Sequence, residues 1–572
     1  MAGRRRPRVE LLVSGRIATL AGSRGFGWVE ALAVGEGRVL AAGRLADCER
    51  LVDHRTRRLR VGPDHAVLPG LTDAHLHLAD AALGAEALDL DGLDLAAALR
   101  AVGRAHRARM ASGDRDGWLV GRGWSLDRFG GWPTADALEA AAPGRPVALW
   151  SHDHHSRWAN RTALARADLA ASTPDPPGGS VERAADGTPT GILLEHACRL
   201  LEAAIPAPTS ERVAAAVHRY GAHLASLGLV GCQDPGEVTP EPELGRGPVL
   251  YAAMASAGAL PLRVHSSLRE EQLERAAELG LVSGQRAVRA DVSDPAAVRA
   301  GQRATVGWLK LFADGALGSR TAALLEPYAD TGGSGRLLQP PEALAELVAR
   351  GLRQGIVPQV HAIGDRAVRV ALDAIEAAPR GAWPRGVPRP GPEAPRPMAR
   401  LEHLQLVDEP DLERFGRLGV AASVQPGHLL SDHGAARRAW PERLDRSYRW
   451  RTLAAQGVPL AFGTDAPVES PDPWPGIAVA ATRRVPGTRL RFPGQEWLGL
   501  ARSIRAATVD PALVAGEAGW LGRLTAGYRA DLIVIPAGAI EQPPAVDGAL
   551  GHCRPLLTLI DGEEVWRAPG LD

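Results

Sequence analysis

Lysine is all but missing from this chain of 572 residues: Lys310 stands alone, and every other basic residue is arginine. Asparagine is as scarce, with Asn160 its single occurrence. Aromatic side chains make up only 4% of the residues, and the net formal charge is +0. A chain without an excess of either sign has no electrostatic footprint for nucleic acid or a charged membrane surface. No apolar run approaches the ~20 residues that a membrane helix needs. The four cysteines, Cys48, Cys198, Cys232 and Cys553, lack CxxC spacing. That argues against a disulfide scaffold and fits reduced, mostly buried thiols in a cytoplasmic protein. Arg4, Arg5 and Arg6 are not followed by an apolar segment, so they read as a solvated tail rather than a secretory signal.

Ala, Gly, Pro and Arg crowd the chain, the mark of a GC-rich coding bias, and one lysine did not follow it. Arginine keeps its charge, whereas a lysine amine can be neutralised and act as a nucleophile. A neutral lysine amine can also take up carbon dioxide, giving a carbamate able to bridge two metal ions. The surrounding VGWLKLFADG reads as a strand followed by a turn. Chance survival of a single lysine is an even match for this reading until other residues are considered.

Several others point the same way. His75 and His77 lie in AVLPGLTDAHLHL, and residues two apart in a strand share a side. Two convergent imidazoles suit a transition metal. Downstream come IVPQVHAIGD with His361, ARLEHLQLV with His403 and VPLAFGTDAPV with Asp465. Each is a short apolar run ending in a polar residue and then turn chemistry. In a barrel of parallel strands, such strand ends face one mouth. Each histidine alone is an ordinary polar side chain; the ordered set is harder to dismiss.

The order His75/His77, Lys310, His361, His403, Asp465 resembles the ligand order of the amidohydrolase superfamily. The segments GRGWSLDRFGGWPT, WLKLFADGALGSRTAAL, VHAIGDRAV, LEHLQLV, SVQPGHLLSD and LAFGTDAPVESPDPWPGI are similar to its YtcJ-like branch, which includes N-substituted formamide deformylases. The likeness runs from the first strand to GYRADLIVI, nearly the whole chain.

That resemblance implies an α/β fold: a (β/α)8 TIM barrel with a small composite β-sandwich built from the two chain ends. Residues 1–68 and 508–572 read as short strands and would form the sandwich. Residues 69–507 alternate strands with Ala/Leu/Arg-rich helices, the barrel pattern. More than simple βα repeats lies before the lysine strand, so an insertion at about 80–225 is expected, packing over the barrel mouth. The Pro/Arg-rich stretch 378–400 reads as an exposed loop between the fifth and sixth strands.

By the same resemblance, His75, His77 and Asp465 would hold the more buried metal and His361 and His403 a second, with carbamylated Lys310 and a hydroxide between them. A one-metal site with Lys310 as a plain amine uses the same donors. Zinc suits imidazole and carboxylate; iron, manganese and nickel fit them too. A divalent metal acidifies water from a pKa of 15.7 towards ~7. Asp465 would take that water's proton and pass it to the leaving amine. The implied activity is hydrolysis of a non-peptide, amide-like C–N bond, including that of N-substituted formamides, through a metal-activated water. A lactonase or other ester-type hydrolase on the same scaffold is the alternative. A non-catalytic scaffold would have lost a ligand position, and all are filled.

Candidates for contact with a small-molecule substrate are Trp124, His154, Asn160, Asp314, Arg320, Gln425 and His428. Asn160 reads equally as a helix cap. Trp124, with Phe129, Trp132 and Trp158, is packed core or one wall of an apolar pocket. Arg320 reads equally as a carboxylate clamp or a partner of Asp314. Gln425 and His428 follow the seventh strand and would face the mouth. A homodimer is implied by resemblance alone.

Overall fold

The computed structural model describes residues 7–151, 156–176, 179–195, 197–236, 247–286, 301–378, 396–488 and 491–569. The chain forms two compact units, Ala82–Arg212 and the remainder.

The larger unit contains a parallel eight-stranded sheet. Its strands are β1 (Leu71–Asp73), β2 (Leu229–Asp234), β3 (Arg263–Arg269), β4 (Ala304–Phe312), β5 (Pro358–Ala362), β6 (Arg400–His403), β7 (Ala421–Val424) and β8 (Leu460–Phe462). Each pairs with the next in chain order. Backbone hydrogen bonds from Ala74 to Phe462 (2.8 Å) and from Asp465 to His75 (2.7 Å) join the first and last strands, closing a barrel. Buried on both faces, these strands are apolar outward and carry chemistry inward, in layers two residues apart. A lower layer holds Gln233, Ser267, Trp308, Gln359 and Arg400. Ser267 donates to Gln359 (2.8 Å), and the Arg400 guanidinium lies 3.9 Å from the Trp308 ring centre. One step further along β4 and β5 come Lys310 and His361.

The same unit holds a second eight-stranded sheet drawn from both chain ends. Leu11–Ala18, the hairpin Trp28–Gly35 and Arg38–Gly43, Arg57–Arg60 and His65–Pro69 come from the N-terminal side. Leu532–Pro536 pairs antiparallel with His65–Pro69 and leads to Leu557–Ile560 and Glu563–Arg567. The hairpin turns at Glu36 and Gly37, both at positive φ. Arg263 of β3 ties sheet to barrel, meeting Asp531 and Asp561 at 2.7 Å each. The helix Val509–Val514 belongs with the barrel: Asp510 accepts from the Leu460 amide of β8 (3.1 Å).

The smaller unit carries a six-stranded sheet and the helices Leu95–Ala111, Ala135–Ala141 and Arg161–Arg166. Its core is built on Trp124, Trp158, Leu149 and Ile192.

All four cysteines are buried, and none forms a disulfide. Among the described residues, no helix is long and apolar enough to cross a membrane. Arg4–Arg6 and most of the Pro/Arg-rich stretch (379–395) lie outside the described residues.

Candidate metal centre

His75 and His77 follow β1, and Asp465 follows β8. The two segments are drawn together by the backbone bond from Asp465 to His75 and a further one from His77 to Ala466 (2.9 Å). Gly463 allows this approach, since a Cβ there would stand 2.5 Å from the His75 backbone nitrogen. Asp73 accepts from the amides of His75 and Thr464 (3.0 Å each) and from the Thr464 hydroxyl (2.6 Å). Asp465 sits at φ 62 and His403 at φ 72, left-handed conformations rare outside glycine and common at functional sites.

The result is a convergence of donors. His75 Nε2 lies 3.3 Å and His77 Nε2 3.6 Å from Asp465 Oδ1, while His428 Nε2 lies 3.5 Å from Oδ2. His75, His77 and Asp465 form one group able to hold a metal ion, and His403, His428 and Asp465 form another. His403 Nδ1 and His428 Nε2 have no hydrogen-bond partner. The ring centres of His361 and His403 are 4.4 Å apart, and those of His403 and His428 are 5.6 Å apart. Imidazoles gathered around one carboxylate, with unspent ring nitrogens, fit a divalent cation.

The outward nitrogens are organised too. His77 Nδ1 donates to the Gly236 carbonyl (3.0 Å). His75 Nδ1 meets Glu402 Oε2 at 2.5 Å. Each bond places a proton on Nδ1 and turns Nε2 towards Asp465. Burial pushes His361 down to about 3, with Lys310 adding to the effect. Burial likewise holds His403 well below the ordinary histidine range. Burial alone would raise Asp465; His75 and His77 instead keep its carboxyl well below the usual range. Lys310 is lowered to about 8 by burial, against the pull of Glu402 and Asp465.

His75, His77, Lys310, His361, His403 and Asp465 all line one cavity of about 420 Å³. Phe312, Leu317, Ile363 and Val468 supply apolar wall, and Arg269, Gln405 and Asp432 polar wall. His361 turns its Nε2 to the Gly315 carbonyl (3.0 Å), so His428 rather than His361 stands against Asp465.

Of the proposed substrate contacts among the described residues, only His428 lines this cavity. Trp124 is enclosed in the core of the smaller unit, its indole N–H donating to Leu149 (2.9 Å). Asn160 is fully buried and spent on backbone. It caps the Arg161–Arg166 helix through Ala163 (2.9 Å), accepts from Val147 (3.0 Å) and donates to Arg145 (2.8 Å). Asp314 is spent likewise, accepting from Ala323, Ile363 and Gly364. Arg320 pairs with Asp330 at 2.6 Å, not with Asp314. Gln425 is buried and donates to Glu402 (3.4 Å) instead of facing the mouth. His154 lies outside the described residues.

Glu402, Arg400 and Gln233 were not singled out from the sequence. A signal was present: two charges two residues apart in a strand that must be buried on both faces.

Residues 64–566 match the model of the amidohydrolase family, Amidohydro_3. The chain belongs to that family. Within it the chain falls in the YtcJ-like branch: it is 29% identical over 507 residues to YtcJ of Bacillus subtilis (strain 168), covering 87% of this chain and 89% of the relative. The N-substituted formamide deformylase of Arthrobacter pascens is 26% identical over 513 residues, with 87% of each chain covered. A metal-dependent hydrolase of unassigned activity from Pyrococcus furiosus has a similar crystal structure. Its TM-score is 0.73 at 28% identity, covering 92% of this chain and 98% of the other.

Proposed function

We propose that this family member is a metal-dependent hydrolase of a non-peptide, amide-like C–N bond. The observation that carries it is the meeting of His75 and His77 on one oxygen of Asp465, with His428 on the other. His75, His77 and Asp465 would hold one divalent ion, zinc being the best match to these donors. His403 and His428, with His361 beside them, would hold a second, and Lys310 as a carbamate would lie between. The pKa of about 8 supports a carbamate, since it leaves part of the amine neutral near neutral pH. When bound, the metal supplies positive charge that acidifies water and polarises the substrate carbonyl.

The remaining chemistry falls to the chain. Asp465 accepts the proton of the attacking water at a carboxylate oxygen. The water oxygen bonds to the carbonyl carbon, the C–N bond breaks, and Asp465 returns the proton to the leaving nitrogen. Acid and amine are the products. The walls formed by Phe312, Leu317, Ile363 and Val468 suit a substituent with apolar surface. The Arthrobacter pascens relative makes N-substituted formamides the first compounds to try.

The test is a turnover panel of N-substituted formamides, other N-acyl amines, cyclic ureas and lactones, run with metal content measured in parallel. Cleavage of at least one C–N substrate, abolished by chelation and restored by zinc or manganese, is expected. Turnover of lactones alone, or full activity in metal-free protein, would overturn the reading.

A further inference from the structure

Below the ligands, a line of buried polar side chains runs across the barrel interior. Gln233 of β2 accepts from the Arg400 guanidinium. Arg400 Nε faces Glu402 Oε1 at 2.9 Å, both side chains fully enclosed. Glu402 Oε2 takes the His75 Nδ1–H at 2.5 Å and the Gln425 amide at 3.4 Å. An ion pair so placed is a poor device for stability, because desolvation of two charges offsets their attraction and apolar residues of like volume would serve as well. What an apolar residue cannot supply is a charged acceptor at His75 Nδ1.

The neighbouring ligand gives the comparison. His77 Nδ1 donates to a neutral carbonyl, that of Gly236. His75 alone of this pair donates to a carboxylate. A carboxylate acceptor fixes the ring more firmly and makes the opposite nitrogen more basic.

We infer that Glu402 is a positioning residue: held by Arg400 and Gln425, it locks His75 in the Nδ1–H tautomer with Nε2 aimed beside Asp465, making His75 the stronger donor of the pair to a bound metal. Arg400 and Gln233 then serve to hold Glu402 in place. The inference rests on the metal-centre reading above and concerns which residues tune that centre.

Metal-free protein titrated with zinc or manganese ion alone tests it. In Glu402→Gln, affinity should fall about 10–100-fold, the usual effect of removing such a partner. It should fall further in Glu402→Leu, which has no acceptor at all. Thermal melts report folding separately: a merely structural Glu402 would lower the melting temperature and leave metal affinity untouched. A folded Glu402→Gln that binds as tightly as wild type overturns the inference, whereas a wild-type chain that takes up neither ion overturns the functional reading. Should the variants fail to fold, ¹⁵N-histidine spectra of metal-free wild-type protein decide, with the His75 signal assigned by its loss in His75→Gln. A proton on His75 Nδ1 is expected, and its absence there sinks the proposal.

Discussion

Asp465 carries the largest share of the chemistry among single residues, since it touches three imidazoles and is the proposed proton carrier. Asp465→Asn keeps the shape and removes the base. Turnover should fall by about 10²–10⁴-fold in a protein that still folds, as steady-state kinetics beside a thermal melt would show. Near wild-type turnover would hand the proton to another group. Lys310 is judged by a different substitution. Lys310→Arg retains charge but cannot form a carbamate, and its fixed guanidinium would stand against any bound cation. Activity and metal content should both collapse. A variant that binds metal and turns over normally would make the lone lysine an accident of composition.

At the scale of elements, the barrel strands place the candidate ligands and the intervening segments aim them. β4 to β6 bring Lys310, His361 and His403 to one end of adjacent strands, and the segments after β1 and β8 fold back upon one another. Asn160 belongs to this scale. Its side chain joins the helix Arg161–Arg166, through the Ala163 amide, to the Val147 amide of the strand Val147–Ser151 and to the Arg145 carbonyl just before it. Asn160→Ala should cost about 0.5–2 kcal/mol, the usual worth of a cap, read as a lower denaturation midpoint. The kcat of the folded fraction should not change; a large loss of kcat at unchanged stability would return Asn160 to the substrate. The chain's only asparagine thus has a structural reason to survive the bias, while its only lysine lines the cavity.

For the whole molecule, metal and stability should be coupled. Three or more donors held in one place bind an ion far better than the unfolded chain does, so a bound ion stabilises the fold by mass action. At 100-fold excess over Kd the gain is about 2.7 kcal/mol. Calorimetry of metal-free protein should therefore show a melting temperature that rises with added zinc or manganese. Chelation should lower it and abolish hydrolysis together. A melting temperature indifferent to both ions would argue that the donors do not form a site in the native state. His75→Gln should blunt the rise, because it removes one of the donors facing Asp465.

The pairing of the two chain ends was implied by resemblance to the family alone, whereas the amino-acid sequence by itself determined the alternation of strands and helices and the set of chemically distinctive residues. These are local properties: strand-length apolar runs, turn residues after each, and a Lys, His or Asp at the run's end can be read without knowing what lies across the barrel. Tertiary structure alone decided which side chains meet. Arg320 was legible as a cation but not as the partner of Asp330, and Asp314 not as the acceptor of three backbone amides, because both depend on the path of a loop. Gln425 lay at the right position for the mouth yet turns inward to Glu402. Glu402 itself adjoins His403 in sequence, but only closure of the barrel carries its carboxylate to His75, 327 residues away. Alternation along a strand fixes which face a residue takes; what waits on that face is set by strands far off in the chain.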